Sequence, residues 1–106
     1  MSGMEIPMLR VLNEIEDERD RQNEKWGEQN HPDGTSSEMW SPNAKLWKFR
    51  CDKAALAGSV TWKHILLEEV FEAISEEEPA RIREELIQVA AVAAAWVEAI
   101  DRRARD

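Results

Sequence analysis

Apolar residues recur at helical spacing along most of the chain, and no stretch alternates with the two-residue period of a strand. Ile6, Leu9, Val11, Leu12 and Ile15 give an apolar side to an otherwise charged segment. This predicts a first helix from about Pro7 to Trp26, ended by Gly27. The polar stretch from Gly27 to Asn43 contains His31-Pro32-Asp33-Gly34 and Ser36-Ser37, and its length suits either a functional lid or a poorly ordered loop. Ser41-Pro42 predicts the start of a second helix, with Ser as N-cap and Pro in the first turn, reaching Ala57 before Gly58 closes it. Thr61 is placed to cap a third helix from about Trp62 to Glu77. Pro79 opens a fourth, which continues to about Arg103. The expected fold is all-α: one four-helix domain over 1–106, with a loop at 27–43 and a helix pair at 61–103.

The fourth helix changes the picture of assembly. From Leu86 to Ile100 only Gln88 and Glu98 are polar, and a helix apolar on nearly all sides must be surrounded. Short neighbours within one chain of 106 residues can hardly surround it. A homo-oligomer, dimer or tetramer, is therefore expected, its helix bundle formed jointly by the third and fourth helices of the copies.

Composition narrows the class. The chain carries a formal net charge of −8 with 42% hydrophobic residues, which disfavours a nucleic-acid binder, since counterion release needs a dominant basic face. The longest apolar run, Val89 to Val97, is too short to span a bilayer, and no signal-peptide pattern opens the chain. Cys51 is the one cysteine, so neither an internal disulfide nor a thiolate zinc cluster is expected. These features predict a cytoplasmic protein that binds neither membrane nor nucleic acid.

The charge is unevenly spread. Between Leu66 and Glu85 lie eight Glu against Arg81 and Arg83, whereas Ala44 to His64 holds Lys45, Lys48, Arg50, Lys53 and Lys63 against Asp52. On a helical wheel at about 100° per residue, Glu69 falls among Ile65, Trp62, Ala73 and Leu66. Glu72 lies beside Ile65, one turn on, while Glu68 projects toward the polar sector. On the fourth helix Glu85 falls among Val89, Val92 and Trp96, and Gln88 beside Ala95 and Ala99. Two helices thus each place a pair of oxygen-bearing side chains, three apart, in an apolar sector. A carboxylate buried without a partner is costly and must protonate, pair or bind a cation. Hard oxygen ligands select Mg²⁺ or Mn²⁺.

These residues resemble the MazG-like branch of the all-α nucleoside triphosphate pyrophosphohydrolases, which is marked by Glu-x-x-Glu on one helix and Glu-x-x-Asp on the next. Here the pairs are Glu69-Val-Phe-Glu72 and Glu85-Leu-Ile-Gln88, and the resemblance covers Thr61 to Asp101. Gln88 stands where the family has Asp; its carbonyl can ligate but brings no charge. The resemblance implies Mg²⁺, or Mn²⁺ in its place, held by Glu69, Glu72, Glu85 and Gln88. It also implies hydrolysis of a nucleoside triphosphate to monophosphate and pyrophosphate, with Glu68, Glu69 and Glu72 as catalytic residues. The alternative is a catalytically degenerate, nucleotide-binding or structural oligomer of the same fold, which Gln88 favours.

Upstream, Lys25-Trp26-Gly27-Glu28-Gln29-Asn30-His31-Pro32 is similar to the segment near the nucleobase in that family. Trp26 can offer a stacking surface, and Gln29, Asn30 and His31 hydrogen bonds to base edges; Trp26 can equally plug the core while the polar residues tie down a turn. Lys48 and Lys53, with Arg50, are candidates for phosphate neutralisation or ordinary solvated charges. His31 and His64 are too isolated for zinc and suit surface or capping roles. Cys51 reads as a small hydrophobe, and Trp40, Trp47 and Trp62 as core or interface aromatics.

Overall fold

The computed structural model describes residues 5–105, which form four helices and, among the described residues, no strand. They are α1 (Glu5–Trp26), α2 (Ser37–Leu56), α3 (Trp62–Ser75) and α4 (Pro79–Arg105). None is long and apolar enough to cross a membrane. The chain divides into two compact units: Met1–Pro32 with Ala94–Asp106, and Asp33–Ala93.

The first unit holds α1 and the C-terminal part of α4. Gly27 ends α1 at φ +67°, the left-handed conformation that favours glycine, and its N–H donates to Asn23 O at 2.8 Å. Val11 and Ala94 are its buried apolar residues.

The second unit is built on the α2–α3 pair, and the turn that joins the two helices follows from local chemistry. At the end of α2, Gly58 takes φ +72°. Its N–H donates to Ala55 O at 3.1 Å, and that of Ser59 donates to Ala54 O at 2.8 Å. This pair of bonds satisfies carbonyls that a helix end otherwise leaves open. At the start of α3, Thr61 Oγ1 accepts from the His64 N–H at 3.3 Å, and His64 Nδ1 accepts from the Thr61 N–H at 3.1 Å. His64 thus plays the part Glu or Gln takes in a capping box.

Along the helix pair, Trp40 packs tilted against Phe71 with ring centroids 6.1 Å apart, and Trp47 meets the His64 ring at 6.3 Å. Ala73 and Ile82 are the buried apolar residues of this unit. Pro79 occupies the first position of α4, with Glu78 O accepting from the Ile82 N–H at 2.9 Å.

The start of α2 departs from the sequence expectation. Ser36, not Ser41, is the N-cap: its Oγ accepts from the Met39 N–H at 3.1 Å, and its own N–H donates to Ile74 O at 2.9 Å. Pro42 therefore lies inside the helix, and the loop is shorter than 27–43. The tertiary bond to Ile74 selects the earlier cap. At the other end α3 stops at Ser75, with Glu76 extended as its C-cap.

Candidate carboxylate site

Glu69 and Glu72 project from α3, one helical turn apart, and Glu85 from the second turn of α4. One carboxylate oxygen from each lies within 4.8 Å of the other two. All three residues are half-buried. Glu69 Oε2 and Glu85 Oε2 are screened from solvent and have no hydrogen-bond partner. An orphaned carboxylate oxygen costs free energy unless something positive or protonated meets it.

The electrostatics register this strain. Burial, then the charges of Glu69, Glu85 and Glu68, and last a hydrogen bond with the Glu85 carboxyl, push the Glu72 carboxyl up to about 7. Burial followed by Glu85 and Glu68 also raises Glu69. Like charges held a few ångströms apart disfavour simultaneous ionisation, and a divalent cation reverses that preference. The three carboxylates are the residues of this unit that can hold a hard metal ion.

Gln88, expected in the same inward sector as Glu85, is exposed. Glu68, expected toward the polar side, is half-buried and acts on α2. Lys48 is raised by Asp52 first and then by Glu68 and Glu72. The Cys51 thiol is pushed up to about 11 by burial and then by a hydrogen bond to Glu68, so it is a neutral thiol at physiological pH. A wheel drawn for one helix cannot see the neighbouring helix, so the sequence of α3 alone carries no signal for this contact.

Trp26, Gln29, Asn30 and His31 belong to the first unit. Trp26 is 57% exposed with Lys25 Nζ 4.9 Å from its ring centroid. Gln29 Oε1 and His31 Nε2 are hydrogen-bonded at 3.0 Å, and Asn30 Nδ2 donates to Glu28 Oε2 at 3.1 Å. Lys48 Nζ pairs with Asp52 Oδ2 at 3.3 Å, and Lys53 Nζ lies 5.5 Å from the Phe49 ring centroid. Both lysines are exposed. No protein-family model, curated protein or solved structure matches the chain.

Proposed function

We propose that the chain is a metal-dependent hydrolase that splits a nucleoside triphosphate into the monophosphate and pyrophosphate, in nucleotide-pool house-cleaning or adjustment. The observation that carries this reading is the pair of partnerless buried oxygens, Glu69 Oε2 and Glu85 Oε2, converging with Glu72. These three residues would hold Mg²⁺, or Mn²⁺ in its place, with Gln88 at most an auxiliary ligand through water. Such an ion neutralises phosphate charge and lowers the pKa of a bound water. A carboxylate not fully used by the metal, Glu68 or Glu72, would accept the proton of the attacking water. Lys48 and Lys53 offer exposed ammonium groups for the outer phosphates. Trp26 offers its exposed face for stacking, and Gln29, Asn30 and His31 offer polar edges to the base.

The reading includes a homo-oligomer, dimer or tetramer, working in the cytoplasm without nucleic acid or membrane. The exposed Leu86, Val97 and Ile100, which share one face of α4, support the association, because an apolar row of this kind buries against a second copy.

Pyrophosphate release from a panel of nucleoside triphosphates with Mg²⁺ or Mn²⁺ tests the activity. Turnover is expected for the wild type and is lost in Glu69→Gln. Absence of turnover for every nucleotide, with no response to chelators, overturns the proposal. Metal-dependent nucleotide binding without turnover selects instead the degenerate member of the fold that the uncharged Gln88 favours.

A further inference from the structure

The outer face of α2 carries a second apolar row, distinct from the Trp40 and Trp47 side that meets α3. Met39, Pro42, Leu46, Phe49, Lys53 and Leu56 follow one another at alternating spacings of three and four. This is the a/d period of a coiled-coil seam. Every member is exposed, with Met39 at 64%, Phe49 at 59% and Leu56 at 90%. A seam of this period has no reason to face water.

From this row we infer that α2 is an interface for a second copy of this chain, packed antiparallel about a two-fold axis that passes between Leu46 and Phe49. The commitment to a second copy rests on charge complementarity. Lys45 and Asp52 each immediately precede a seam position, Leu46 and Lys53, and so lie on one flank of the row. Reversing a partner helix about the stated axis sets Leu46 on Phe49 and Met39 on Leu56. It also brings the partner copy's Asp52 to Lys45, and the symmetry makes the bridge twice. A parallel partner would instead set Lys45 against Arg50, like charge on like. Lys48 holds Asp52 on this flank from within the chain, while Lys45 has no ion pair among the described residues.

Phe49 and Leu56 supply the apolar burial. Lys53, at the one charged seam position, falls opposite Pro42 and penalises other registers. This interface is separate from the carboxylates and stands whether or not they hold a cation.

Sedimentation velocity of the full chain tests it. The wild type is expected as an associated species, and Phe49→Asp as one of half that mass with unchanged helical circular dichroism. Lys45→Glu, and separately Asp52→Lys, weaken association by about tenfold, since each replaces two attractions by two repulsions. The double variant Lys45→Glu/Asp52→Lys restores wild-type association. Leu46→Cys mixed with Phe49→Cys, both in a Cys51→Ser background, gives a disulfide-linked pair under mild oxidant. Three results overturn the proposal: Phe49→Asp sedimenting as the wild type does, failure of the double charge swap to recover, or absence of the mixed disulfide. Loss of mass in Phe49→Asp without the disulfide would mean that another surface covers this row. None of these readouts depends on nucleotide turnover.

Discussion

Replacing Glu72 by Gln changes the charge of the carboxylate cluster while keeping the shape of the side chain. The unfolded chain releases the Glu72 proton near its ordinary value of 4.5, and the folded protein holds it until about 7. Between these values the folded state binds more protons, so this group makes stability fall as pH rises from about 4.5 to 7 and then level off. At full burial the difference corresponds to roughly 3.4 kcal/mol. Because Glu72 is half-buried, solvent screening reduces this to about 1.5–2 kcal/mol. Without divalent cation at about pH 8, Glu72→Gln is therefore expected to be more stable than the wild type, with Tm higher by about 10 °C.

A saturating cation reverses the order. It binds only the folded wild type with all three carboxylates and adds about 2.7 kcal/mol at a hundredfold excess over Kd, while the variant gains much less. Thermal melts at fixed protomer concentration, with chelator and with Mg²⁺, read both effects. The reasoning is refuted if Glu72→Gln melts below the wild type in chelator, or if Mg²⁺ moves both curves equally.

Four further outcomes follow from the local geometry. Thr61→Ala removes the acceptor for the His64 N–H and should cost about 1 kcal/mol in a denaturant titration. Gly58→Ala should cost a similar amount, roughly 1 kcal/mol, with no steric part, because nothing lies within 4 Å of the added methyl. Pro42→Ala should raise both helicity and denaturation midpoint, since proline inside a helix removes a hydrogen bond at a cost of up to about 3 kcal/mol. Trp26→Ala should leave stability within about 0.5 kcal/mol of the wild type because the ring is exposed, while nucleotide affinity measured by titration should fall.

Much of the helical layout was legible because its punctuation is local. Gly27, Gly58, Thr61 and Pro79 act through their own backbone preferences or the first turn of the helix they adjoin, and each is placed as the pattern predicts. The start of α2 was not legible. Ser36 and Ser41 are both competent caps, and the choice between them depends on Ile74, far along the chain. The inward set of Glu69, Glu72 and Glu85 could be read from the wheel, since apolar neighbours on the same helix mark the buried sector. Gln88 is exposed although it stands three residues beyond Glu85, the same spacing that keeps Glu72 in the cluster with Glu69, so the spacing alone does not decide which of them is covered. The pairing of Glu68 with α2 was hidden, as any contact between helices is from one helix alone.

The bond from the Ser36 N–H to Ile74 O joins the two open ends of the α2–α3 hairpin, opposite the turn made by Gly58 and Thr61. A hairpin fastened at both ends opens as one piece, so its amides, that of Ser36 included, should share one class of protection in hydrogen exchange. Glu69 and Glu72 ride on this piece and Glu85 on the helix that follows. On the proposed reading a captured cation would staple α4 to a hairpin already closed, and added Mg²⁺ should then slow exchange in the first turns of α4 far more than in α2.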